Sequence, residues 1–164
     1  TYWSSIPGCQ IYNTFDWGIR DEEGYYFILG RTDDVINVAG HRLGTREIEE
    51  SISAHAQIAE VAVVGVADTL KGQAALAFCV VRDASVVADE ASSKAMEADV
   101  MKLVDSRLGA VARPSRVIFV TALPKTRSGK LLRRALQAVA EGRDPGDLST
   151  MEDPAVLSQV QQRL

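Results

Sequence analysis

The stretch Pro124 to Arg134, PKTRSGKLLRR, carries five cationic side chains (Lys125, Arg127, Lys130, Arg133 and Arg134) and no acid, in a chain whose formal net charge is −4. Such an island suits several tasks. It can grip a nucleotide, coat a nucleic-acid backbone, face water, or aim one ammonium at a reacting phosphate. The Gly129-Lys130 pair resembles a phosphate-binding loop, which requires a glycine five residues before Gly129 and Ser or Thr after the lysine. Those positions hold Pro124 and Leu131. A hinge glycine and the magnesium-binding hydroxyl are both missing, so that reading fails.

The elements that must position these residues can be read from periodicity. Leu131, Leu132, Ala135, Leu136 and Val139 share one face of a predicted helix from Leu131 to about Ala140, stopped by Gly142 and Pro145. Lys130, Arg133, Arg134 and Gln137 share the other face, which either contacts solvent or meets an anion. Three cations in the first half of a helix oppose its dipole by roughly 0.3–1 kcal/mol each, which favours an anionic partner. Upstream, VAVVGVA (61–67) and AALAFCVV (74–81) are unbroken apolar runs, read as buried strands joined through Lys71-Gly72. Residues 82–93 read as an exposed loop. Met96, Val100, Leu103, Val104 and Leu108 then recur at helical spacing up to Gly109, and RVIFV forms a further strand.

Nearer the start, Thr45 is placed to cap a short helix bearing Ile48 and Ile52, after a loop AGHRLG (39–44). GYYFILGR and VINV flank Arg31-Thr32-Asp33-Asp34 as a hairpin or a strand, joint and strand. The aromatic segment 1–18 predicts a strand pair around Pro7-Gly8, and the tail beyond DPGD has room for one short helix. The expected class is α+β: a hairpin and a mixed sheet of about three strands packed by helices.

Composition narrows the function. The 46% apolar content suits a folded core, and the acidic balance argues against nucleic acid as the main partner. No apolar run reaches the ~20 residues of a membrane helix. Cys9 and Cys79 form no CxxC motif, as expected of a reducing cytoplasm. Without an initiator Met or a secretory start, Thr1 reads as a position inside a longer protein.

Taken together, DWGIRDEEGYYFILGRTDDVINVAGHRLGTREIEE and PKTRSGKLLRR resemble the C-terminal domain of AMP-forming acyl-CoA synthetases, of the adenylate-forming superfamily. TFDWGIRDEEGYYFILGRTDDVINVAGHRLGTREIEESI and EGRDPGDLST are similar to the propionate–CoA ligase group, with acetate–CoA ligases as near neighbours. The resemblance implies residues 1–32 as the margin of a large N-terminal domain, 33–142 as the C-terminal lid and 143–164 as a tail. It further implies ATP, Mg²⁺ and coenzyme A acting with a small carboxylic acid, and a lid that swings between two poses on its own N-terminal domain.

By the same resemblance, Lys130 is the adenylation lysine, open to silencing by acylation through a protein lysine acetyltransferase and its deacetylase. Asp16 would accept ribose hydroxyls, Arg31 would contact the nucleotide, and Arg42 would lie near the ATP phosphates. Asp33 would be the hinge, and Ala39 with Gly40 would line the coenzyme A tunnel. His55, with carbonyls near Ser53 and Ile58, would hold a cation. Asp105 stands where acetate-type relatives place an arginine for the coenzyme A 3′-phosphate. A non-catalytic module that binds polyanions through the cationic island remains the alternative from another class.

Overall fold

The computed structural model describes residues 3–6 and 8–164, with side chains for residues 8–28, 30–32 and 34–164. The chain divides into two compact units, Thr1–Val35 and Ile36–Leu164.

In the first unit, β1 (Trp3–Ile6) pairs antiparallel with β2 (Cys9–Tyr12), as expected for residues 1–18; Pro7 lies outside the described residues. β3 (Asp16–Arg20) pairs with β4 (Tyr26–Arg31), so the GYYFILGR run folds back on the segment before it and not onto VINV. The joint is a single 3-10 turn, Thr32–Asp34, followed by β5 (Val35–Val38). Strand, joint and strand is therefore the correct alternative.

In the second unit β5 turns into β6 (His41–Gly44) through Ala39 and Gly40, whose φ values are 50° and 84°. Positive φ at both central residues is the signature of a tight two-residue hairpin turn. AGHRLG is thus a two-residue turn followed by a four-residue strand, not a loop throughout. α1 (Thr45–Ser53) follows; its cap is Gly44, and Thr45 is already helical with its hydroxyl buried and unpartnered. The expected Thr45 cap is corrected accordingly. Ile48 and Ile52 are buried as the spacing required.

β7 (Ile58–Asp68) and β8 (Gly72–Val81) form a long antiparallel hairpin from the two apolar runs. A 3-10 turn at Ala84–Val87 and α2 (Glu90–Leu108) replace much of the loop expected over 82–93. The helix starts early because Asp89 accepts the Ser92 N–H at 2.8 Å while Ser92 Oγ accepts the Asp89 N–H at 3.1 Å, a reciprocal cap. Gly109, at φ 83°, ends it. β9 (Arg116–Phe119) then lies parallel to β8, the connection that a crossover helix makes possible. Among the described residues the sheet has five strands in the order β6-β5-β8-β7, with β9 also on β8. The three strands expected are β7, β8 and β9, and two short ones, β5 and β6, extend the sheet. α3 (Arg133–Ala140) and α4 (Ala155–Arg163) complete the unit.

Both faces of the sheet are covered, which is why β7 and β8 read as continuous apolar runs. Ala75, Ala77, Cys79, Val63 and Val117 face α1 and α2, meeting Ile48, Ile52, Met96, Val100 and Val104. Leu76, Phe78, Ala62, Val64 and Ile118 face the other way, onto Leu136 of α3 and Val160 of α4. The segment 143–164 therefore contributes to the core. Met151, Leu157 and Val160 are all buried.

Candidate functional site

The cationic stretch does not begin as a helix. The Leu132 N–H donates to the Pro124 carbonyl at 2.9 Å, Lys125 bridges Leu131, and the Thr126 N–H donates to the Lys130 carbonyl at 2.8 Å. Inside this closure the Gly129 N–H returns to the Thr126 carbonyl at 2.8 Å, with Gly129 at φ 80°. Only glycine adopts that conformation without strain. Thr126 Oγ1 accepts the Lys130 N–H at 3.1 Å and meets Ser128 Oγ at 2.9 Å. α3 therefore starts two residues later than the leucine spacing predicted, and Lys130 leaves the helix for the end of a self-closed loop. Its side chain is exposed, and its ammonium makes no ion pair among the described residues.

Other cations of the stretch are neutralised from within. Lys125 Nζ pairs with Glu60 Oε2 at 2.6 Å. Arg133 clasps Glu49 in two-pronged fashion, Nη1 to Oε1 and Nη2 to Oε2, the latter at 2.8 Å. Gln137 Nε2 donates to the Gly65 carbonyl at 2.8 Å. The polar face of α3 thus meets the chain's own backbone and carboxylate. The anion that offsets Arg133 against the helix dipole is internal. Sequence reading missed Glu49, although an acid beside Ile48 on a buried helical face was a signal that a partner lay inside.

The chain end braces the same loop. Thr126 bridges Met151, the Arg127 N–H donates to the Thr150 carbonyl at 3.2 Å, and the Glu152 N–H donates to the Lys125 carbonyl at 2.9 Å. Ala39 and Gly40 sit at an exposed turn, where the Ala39 N–H donates to the Lys71 carbonyl at 2.8 Å; Arg42, also exposed, is on β6. A Cβ built at Gly40 meets no atom within 4 Å, so backbone conformation alone favours glycine there.

In the first unit, exposed Asp16 faces half-buried Arg31 across the β3–β4 ladder. The backbone of Asp33 lies in the 3-10 turn just before the border between units, and its side chain lies outside the described residues. His55 Nδ1 accepts the Gln57 N–H at 3.2 Å, and the His55 carbonyl accepts the Ile58 N–H at 3.0 Å. Among the described residues no group of three or more His, Cys, Asp or Glu side chains is placed to hold a metal ion. Asp105 Oδ1 lies 3.2 Å from Arg113 Nε, outside hydrogen-bond geometry.

Comparison with known proteins identifies this arrangement. The family model described as "AMP-binding enzyme C-terminal domain" matches residues 47–130, just over half of the chain. The chain is 61% identical over all 164 residues to the propionate–CoA ligase of Salmonella typhimurium, covering 26% of that protein. It is 46% identical over 153 residues to the acetyl-coenzyme A synthetase of Pyrobaculum aerophilum, covering 93% of the chain and 22% of that protein. The crystal structure of ATP-bound MatB from Rhodopseudomonas palustris superposes with a TM-score of 0.67 at 33% identity, over 79% of this chain and 24% of that one. The chain thus spans about a quarter of the length of the curated relatives it matches. It belongs to the AMP-binding enzyme C-terminal domain family.

Proposed function

We propose that the chain is the mobile C-terminal part of a short-chain acyl-CoA synthetase that turns propionate, Mg·ATP and coenzyme A into propionyl-CoA, AMP and pyrophosphate. A carboxylate oxygen attacks the α-phosphorus, and the bond to pyrophosphate breaks. The coenzyme A thiolate then attacks the acyl carbon, and AMP leaves with the former carboxylate oxygen. One observation carries the reading: Lys130 is exposed at the end of a braced loop, in a chain 61% identical to a propionate–CoA ligase.

In the first step negative charge concentrates between carboxylate and phosphoryl group, where the Lys130 ammonium reaches on a flexible stem. Asp16, acceptor-only, takes the ribose hydroxyls. Arg31 contacts the nucleotide and Arg42 the phosphates. Rotation about the backbone at Asp33 exchanges this pose for one in which Ala39 and Gly40 face the coenzyme A arm. Gating of this kind lets one cleft host two reactions in turn. The acyl pocket and the glycine-rich ATP loop belong to the N-terminal domain, so the fragment by itself is inactive. Exposure of Lys130 also suits acylation by a cytoplasmic protein acetyltransferase, reversed by a deacetylase, which cancels its charge.

The full-length protein, given Mg·ATP, coenzyme A and a series of short carboxylic acids, is expected to release AMP stoichiometrically with acyl-CoA and to show its highest kcat/KM with propionate. A maximum at acetate would reassign the substrate. Strong, salt-sensitive single-strand binding without AMP release would instead favour a polyanion module.

A further inference from the structure

α3 lies along the open edge of β7 in a way that no sequence pattern announces. In the sheet order β6-β5-β8-β7, β7 has a neighbour on one side only. Backbone groups along its free side are satisfied by side chains. The Val63 N–H donates to Glu49 Oε1 at 2.7 Å, and the Val63 carbonyl lies 3.4 Å from Arg133 Nη1. The Gly65 carbonyl accepts from Gln137 Nε2 at 2.8 Å, and the Ala67 N–H donates to Glu141 Oε1 at 3.1 Å. Arg133, Gln137 and Glu141 recur at four-residue spacing, a rise of about 6 Å along a helix. Residues 63, 65 and 67 recur at two-residue spacing, about 6.6 Å along a strand. The two repeats match closely enough for one stripe of the helix to stand in for a missing strand.

The first rung of this ladder is also its strongest. Glu49 is buried to 9% exposure, and it takes both the Val63 N–H and the two prongs of Arg133. Charged, two-pronged pairs are the strong and directional ones. Arg133 stands three residues after Lys130, while Lys125, on the other side of the loop, is tied to Glu60 of the same strand. The lysine loop is therefore fastened to β7 at both ends.

We propose that Glu49 and Arg133 form a positioning pair for Lys130, setting where the loop presents its ammonium. The inference rests on the adenylation reading of Lys130 and deepens it. The pair acts through the loop, so its loss misplaces the ammonium without removing it. The half-reaction that needs Lys130 should suffer selectively.

The test uses the full-length enzyme carrying Arg133→Met, Arg133→Lys, Glu49→Gln or, as a control on the same ladder, Gln137→Ala. Carboxylate-dependent ATP–pyrophosphate exchange reads adenylation, thioester formation from supplied acyl-adenylate reads the second step, and thermal unfolding reads stability. Arg133→Met should lower the adenylation kcat roughly 10- to 100-fold, the scale of a small misplacement at a reacting centre. KM for ATP and the thioester step should stay within about twofold, since binding and the second step do not use the pair. Arg133→Lys should stay impaired, because one ammonium cannot span both carboxylate oxygens. Gln137→Ala should lower the unfolding midpoint and leave both half-reactions intact. If Arg133→Met does not fold, Glu49→Gln takes its place, keeping an oxygen for the Val63 N–H while losing the charge. Equal loss of both half-reactions, or wild-type adenylation in a folded variant, overturns the proposal. Lys130→Ala runs alongside: full adenylation there contradicts the reading of Lys130 itself. Loss there with intact adenylation in the Arg133 and Glu49 variants contradicts the positioning pair alone.

Discussion

Cys79 sits in β8 with no solvent exposure, and burial pushes its thiol up to about 12. Ionisation is therefore resisted in the folded chain but not in the unfolded one, where a thiol titrates near 8.5. Its contribution is complete below about pH 8.5 and is lost progressively as pH rises toward the folded value, by up to about 1.4 kcal/mol per pH unit. Cys79→Ala removes both the packing and the titration. Denaturant unfolding should thus show the wild type ahead of Cys79→Ala at pH 7, with that lead shrinking by about 2 kcal/mol at pH 10. A constant lead would mean that the thiol ionises in place. At this scale the sequence shows which residue types stand together and hides which distant partner each one meets. The SGK triplet marks Lys130 as special. Arg133 reads as a surface charge until Glu49, 84 positions away, is seen to hold it.

Among the elements, those marked by an unbroken apolar run or by helical spacing were legible. β7, β8 and α2 follow apolar periodicity directly, because burial on a sheet face or helix stripe dictates it. The failures lie at element ends, where one hydrogen bond decides. α3 starts at Arg133 because the loop from Pro124 to Leu132 closes on itself first, while Leu131 and Leu132 remain half-buried and keep a helix-like pattern without a helix. The sheet margins show a related device at the opposite side from α3. The Val117 N–H of β9 donates to Glu97 Oε1 on α2 at 2.7 Å. Strand edges left open invite pairing with other chains, and carboxylates from neighbouring helices occupy these instead. Glu97→Ala should cost about 1–3 kcal/mol, the scale of a part-buried amide losing its acceptor. Denaturant unfolding measures it, and an unchanged midpoint would show that water serves Val117 equally well.

Across the molecule, the second unit is a sheet with helices on both faces, and the last of those helices comes from a segment that looked detachable. Val160 is fully buried against the face bearing Leu76 and Phe78, and Met151 pairs with the lysine loop at Thr126. Core, chain end and loop are thus joined in one unit, at whose surface Lys130 stands exposed. The most direct test is Lys130→Ala in the full-length enzyme, assayed one half-reaction at a time. The account predicts that carboxylate-dependent pyrophosphate exchange falls by at least about 100-fold, the usual scale for losing a charge-stabilising group. Thioester formation from supplied acyl-adenylate should stay within about twofold of wild type, as expected for a group used only in the first transition state. An equal fall in both half-reactions, or exchange at the wild-type rate, would contradict it.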